Sequence, residues 1–175
     1  DIEDAITAGV LDPRRLPPLD VVRQYDGVQL FVTRASAANP DFALTEDNAP
    51  LVAQICARLD GIPLALELAA ARTRVLSLEQ LADRLQNALK LLKSDTRADE
   101  PRHQTLRATL DWSYGLLSPD EQALLRRLSV FAGGFTLEAA EEVIGDAAPA
   151  PTGALILPRD DILDLLTALV DKSLV

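Results

Sequence analysis

The stretch Asp60-Gly61-Ile62-Pro63-Leu64 is the first place in this chain where residue types and spacing point to chemistry. It lies between two helical runs, Ala49 to Leu59 and Leu64 to Arg74. Gly61 suits a left-handed cap on the first run, and Pro63 suits the first turn of the second, where its missing N–H has no helical partner to lose. Such a joint leaves the opening N–H groups of the second helix unpaired beside a rigid apolar ring. A flat, partly anionic ligand could dock there. Taken alone the motif is weak, because most joints of this kind in helical proteins are simple corners.

The other residues that could carry chemistry argue against a catalytic centre. None of the eight glycines is followed by lysine, so a phosphate loop of the Gly-x4-Gly-Lys-Ser/Thr type is missing. No apolar strand ends in the paired acids that would hold magnesium. One cysteine and one histidine do not make a zinc site without carboxylates at unsupported spacings. His103 sits in a charged segment with no neighbour to orient it, and reads as a solvated loop histidine rather than a general base. Trp112 and Tyr114 read as core contacts rather than a stacking platform, Arg126-Arg127 as a solvated face, and Glu138, Glu141 and Glu142 as an acidic surface edge. Cys56 shares an apolar period with Val52 and Leu59, which makes it a buried, inert thiol.

These residues must be positioned by helices. The chain has 175 residues, 48% of them hydrophobic and 25% charged, a globular balance for one ordinary domain or two small ones. It has no apolar run long enough to span a membrane, and DIEDAITAGV lacks the order of a signal peptide, so a soluble, cytoplasmic protein is expected. The absence of methionine suggests a piece of something longer. The net charge is −10, with 16 acidic against 11 basic residues over 1–100 and 11 against 6 over 101–175. Both halves would repel a nucleic-acid backbone.

Residues 1–19, with Leu16-Pro17-Pro18-Leu19 extended, read as a connector. Residues 20–93 read as a four-helix subdomain. Its first helix is capped by Asp20 and runs through Gly27 to Ala38. The second is capped by Thr45 or Asn48 with Pro50 in its first turn, and the third is the Ala/Leu-rich run after the joint. The fourth is opened by the Ser77-x-x-Gln80 capping box and carries Leu78, Leu81, Leu85, Leu89 and Leu92. Residues 94–103, polar and charged, read as a linker. Residues 104–175 read as a winged-helix-like subdomain cut off before its wing. Thr105 caps a first helix, Ser118-Pro119-Asp120-Glu121 opens a second that Gly133-Gly134 stops, and Thr136 and Gly145 bound a third. ALIL is a candidate short strand, Asp160 caps a last helix, and Leu174-Val175 starts a strand. The expected fold class is all-α with minimal strand.

Three separated segments then carry a resemblance: DNAPLVAQICARLDGIPLALELAAARTRVLSLEQLADRL, RHQTLRATLDWSYGLLSPDEQALLRRLSVFAGGFTLEAAEEVI and LLTALVDKSLV. Together they are similar to bacterial signal-transduction ATPases of the STAND class. These share the NB-ARC module and are often named LuxR- or AfsR-type transcriptional regulators. The resemblance spans roughly residues 16–175. It implies an upstream nucleotide-binding core holding the phosphate loop and magnesium acid. This chain would be the helical lid and winged-helix portion, itself no enzyme, with downstream sensor or repeat domains as further partners and self-association of the parent as an option. ATP or ADP would be the parent's ligand, and the residues implied to meet the adenine are Gly61, Ile62, Pro63 and Leu64, with Ile62 where leucine is commoner. The family's later Met-His-Asp motif has no counterpart here, and His103 does not supply it. Two other readings stand beside this one: a helical protein-interaction scaffold, and a winged-helix DNA binder that would place helix 161–170 in the major groove. Asp160, Asp161, Asp164 and Asp171 on or beside that helix weigh against the last.

Overall fold

A computed structural model describes residues 18–95, 101–146 and 156–175. Most of the expected connector 1–19, the middle of the expected linker and residues 147–155, which include the start of the ALIL candidate strand, lie outside the described residues. Those described are helical. They form α1 (Leu19–Val22), α2 (Asp26–Ala38), α3 (Ala49–Arg58), α4 (Pro63–Ala71), α5 (Leu78–Asp95), α6 (Pro101–Gly115), α7 (Pro119–Leu128), α8 (Leu137–Ile144) and α9 (Ile162–Asp171), with short 3-10 turns at Arg72–Arg74 and Arg159–Asp161. No strand forms among them, and one isolated parallel bridge joins Asp146 and Pro158. The fold class is all-α, as the periodicity predicts.

The chain divides into two compact units, Asp1–Ser113 and Tyr114–Val175. This division falls later than the charged segment 94–103. Lys93 to Asp95 continue α5, and His103 lies in α6. Thr105 is therefore no N-cap but an interior residue of α6, which is described from Pro101 on.

In the first unit, α4 is packed on most sides. Ala65, Leu66, Leu68, Ala69, Ala70 and Ala71 are all buried, as its Ala/Leu sequence requires, and its small side chains bring it against α2. Phe31 of α2, Ile55 and Leu59 at the end of α3, and Leu81 and Leu85 of α5 complete the core. The expected single helix from Asp20 to Ala38 is two. Turn residues 23–25 separate α1 from α2, and the break comes before Gly27, which is the second residue of α2. Pro18 rather than Asp20 occupies the N-cap of α1. Ahead of α3, Thr45 and Asn48 bond each other reciprocally, the Thr45 N–H donating to Asn48 Oδ1 at 2.9 Å and the Asn48 N–H to Thr45 Oγ1 at 3.4 Å. The Ser77–Gln80 box before α5 is formed, at 3.1 and 3.3 Å.

In the second unit, α7, α8 and α9 bury Leu124, Leu128, Ala140, Ile144, Ile162 and Leu169 together with Leu157. The Ser118–Glu121 capping box is formed in both directions, and Thr136 Oγ1 accepts from the Ala139 N–H. Other expectations fail for identifiable reasons. α7 ends at Leu128, so Phe131 lies beyond it, stacked on Phe135. The Gly133-Gly134 pair plays no part in stopping it. Ile156 and Leu157 of the candidate strand are not in a strand. Asp160 falls inside a 3-10 turn, and the N-cap of α9 is Asp161, without a side-chain cap bond. Leu174 lies in no strand among the described residues. Its N–H donates to Leu169 O at 3.0 Å while the Ser173 N–H donates to Val170 O at 2.9 Å, with Ser173 at φ 56°. That is a Schellman end, and Leu174 packs back onto the core.

Candidate functional site

The joint between α3 and α4 is built by the same Schellman geometry. The Gly61 N–H donates to Cys56 O at 3.2 Å and the Asp60 N–H to Ala57 O at 3.0 Å. The left-handed residue at the cap itself is Asp60, at φ 54°, and Gly61 follows at φ 61°. The glycine expected to cap α3 is thus the second of two left-handed residues. Nothing lies within 4 Å of where a Gly61 side chain would begin; the conformation rather than crowding favours glycine there. Ile62 is extended, at φ −68° and ψ 117°, as the residue before a proline must be, and Pro63 opens α4. Ile62 is half-buried and packs on the core, while Gly61, Pro63 and Leu64 face outward.

Leu64 is 42% exposed beside the Pro63 ring, at a helix start that no side chain caps. This apolar edge lies next to the opening backbone N–H groups of α4. Among the described residues no group of three or more His, Cys, Asp or Glu could hold a metal.

Two features that sequence reasoning missed bear on the joint's surroundings in the first unit. Thr105 Oγ1 donates to Asp60 Oδ2 at 2.5 Å, and Arg102 donates to the Asp60 carbonyl at 3.2 Å. Arg72, just past α4, is buried, and its guanidinium donates to Ser113 Oγ at 2.7 Å and to Ser113 O at 3.3 Å. Arginine followed by Thr-Arg at a helix end reads as surface. The hydrogen bonds to Ser113 reach α6, 41 residues away.

His103 is exposed on α6. Trp112 packs on the first core and Tyr114 on the second. The Cys56 thiol is pushed up to about 12 by burial and is inert at neutral pH. The Arg126-Arg127 pair is not simply a solvated face. Arg126 donates to the Tyr114 hydroxyl, and Arg127 donates to Ile144 O at 2.9 Å and to Asp146 Oδ2 at 2.8 Å. On the acidic edge of α8, Glu142 pairs with Arg159 at 2.7 Å. Glu138 and Glu79 have carboxyls below their ordinary value. For Glu138 the main cause is its own backbone N–H, followed by the Thr136 hydroxyl; for Glu79 it is the Ser77 hydroxyl, followed by its own N–H. These are the acids of helix first turns.

Comparison with known proteins gives relatives but no family. The chain is 45% identical over 161 residues to a protein of Mycobacterium tuberculosis (strain ATCC 25618 / H37Rv) named as an HTH-type transcriptional regulator, and equally to a Mycobacterium bovis protein of the same name. The match covers 92% of this chain and 17% of each relative. It is also 47% identical over 129 residues to an uncharacterised protein of Mycobacterium tuberculosis H37Rv, covering 74% of this chain and 32% of that one. No family model matches, and no solved structure matches.

Proposed function

We propose that this chain is the lid and winged-helix-like portion of a STAND-class, NB-ARC-type ATPase that acts in signal transduction or transcriptional regulation. In this reading the Gly61–Leu64 joint lies against the adenine of ATP or ADP held by an upstream core, and the nucleotide state passes through this chain to downstream domains. The observation that carries it is the joint: two consecutive left-handed residues, an extended Ile62, and Pro63 opening α4 with its neighbour Leu64 exposed. The relatives' name supports the regulatory half, since a nucleotide switch is one way to control such a protein.

The chain alone lacks the groups that hold phosphates and magnesium tightly. Isothermal titration of ADP or ATP into it should give no submicromolar affinity, and the purified chain should show no turnover. In the longer parent, Pro63→Ala should weaken ADP several-fold. Unchanged ADP affinity there would remove the base contact and leave a helical interaction scaffold. The DNA-binding alternative has the relatives' name in its favour, but α9 and its flanks expose Asp160, Asp161, Asp164 and Asp171, a poor surface for a duplex.

A further inference from the structure

We propose that Thr105 and Arg102 of α6 are positioning residues for the Gly61–Leu64 joint, acting through Asp60; the part of this inference that concerns a ligand rests on the nucleotide-lid reading above. Asp60 is the residue that turns the chain out of α3, and it does so at φ 54°, a region that aspartate tolerates but does not prefer. Its backbone carbonyl and its carboxylate are each bonded to a different side chain of α6. Arg102 takes the carbonyl at 3.2 Å, and Thr105 donates to Oδ2 at 2.5 Å. Thr105 is buried, and its own carbonyl accepts from the Thr109 hydroxyl at 2.8 Å, so the donor is held within α6. The joint itself has no side-chain cap on α4 to fix it.

The shape of the 60–64 segment therefore depends on residues 42 and 45 positions downstream. If the first turns of α6 draw away, Asp60 loses both partners. The φ of Gly61 and the direction of the Pro63 ring then lose their external restraint. Movement of α6 is thereby converted into a change at the outward edge that would meet the base.

The test uses the full 175-residue chain, labelled with nitrogen-15, with ADP at millimolar concentration as the probe. Thr105→Val should raise amide exchange at Gly61, whose N–H closes the cap on Cys56 O, by tenfold or more, and Thr105→Ser should restore it. Arg102→Ala, on an exposed residue that puts folding at little risk, should raise it by a smaller factor and serves if the valine variant does not fold. In the wild-type chain ADP should shift the amides of Gly61, Ile62 and Leu64. That response should weaken at least threefold in Thr105→Val and recover in Thr105→Ser, which a purely structural role would not require. Gly61 exchange unchanged in both Thr105→Val and Arg102→Ala would overturn the positioning role. Raised exchange with an ADP response unaltered among the variants would overturn its link to the ligand. No ADP response in the wild-type chain at millimolar ligand, together with unchanged ADP affinity of Pro63→Ala in the longer parent and with Gly61 exchange still sensitive to Thr105, would overturn the nucleotide reading instead.

Discussion

Asp146 shows how much a single side chain can organise. Its backbone N–H donates to Leu157 O at 2.8 Å, and its Oδ2 accepts from the Leu157 N–H and from Arg127, each at 2.8 Å. Arg127 also reaches Ile144 O, so one carboxylate joins α7, the end of α8 and the segment leading to α9. The Leu157 N–H, then the Arg127 guanidinium, hold this carboxyl below its ordinary value. A group whose value is lowered by folding adds stability above its unfolded value, near pH 4, and loses it as the pH falls through the folded value. The melting temperature of the chain should accordingly fall as the pH drops below about 4, and Asp146→Asn should flatten that acid limb while lowering stability at pH 7. Circular-dichroism melts across pH 3 to 7 check this; an acid limb identical in the variant would sink it. Cys56 makes the opposite case, a group withdrawn from chemistry. With burial raising its thiol to about 12, a thiol reagent at pH 8 should leave the native chain unmodified and label one site per chain after denaturation.

At the scale of the element, the second unit is defined by its ends. Gly145 closes α8 with φ −68° and ψ 133°, so its conformation is open to any residue. What requires glycine is space, because a Cβ there would lie 2.5 Å from the Glu141 carbonyl and 2.6 Å from Arg159 Cγ. Gly145→Ala should cost about 1–3 kcal/mol through the displaced backbone, more than Ser118→Ala, which breaks the capping box at a cost of about 1 kcal/mol. Urea unfolding of both variants, with equal slopes, would show the order, and a neutral Gly145→Ala would mean the segment after α8 yields freely. These ends also mark where the sequence was and was not legible. Ser77, Ser118 and Thr136 announce their helices because a cap needs only residues three positions away. The Ala/Leu-rich run of α4 announces its burial for the same local reason. Asp60 and Ser173 do not announce left-handed caps, since the usual signal is glycine and both positions are settled by the Schellman bonds around them. Thr105 has the residue type of a cap, and its role as a donor to Asp60 is not legible locally because that partner lies 45 residues away. Contact of Gly61, Ile62, Pro63 and Leu64 with an adenine is what the resemblance implies and part of the proposal above. The residues by themselves specify a corner, and the structure adds that its apolar edge faces outward.

At the scale of the whole molecule, charge decides more than shape. The chain carries −10 overall, and binding to duplex DNA is driven chiefly by lysines and arginines that displace counterions from phosphates. The two cations beside α9 are already committed, Arg159 to Glu142 at 2.7 Å and Lys172 to the buried Glu121. Arg127 on α7 is likewise paired with Asp146. Freeing them for phosphates would break contacts within the second unit, while the exposed Asp160, Asp161, Asp164 and Asp171 would have to approach the duplex. A helix that reads the major groove needs neutral or basic side chains along its leading face, and the described residues of α9 instead present Leu163, Asp164, Thr167, Val170 and Asp171 to solvent. The chain should therefore show no retarded band with duplex DNA at micromolar concentration in about 150 mM salt, and no signal that falls steeply as salt rises from 50 to 200 mM. A salt-sensitive complex that survived at 150 mM, and that weakened on Arg159→Ala or Lys172→Ala, would reverse the ranking. It would place a DNA-reading surface where this reading has a regulatory module.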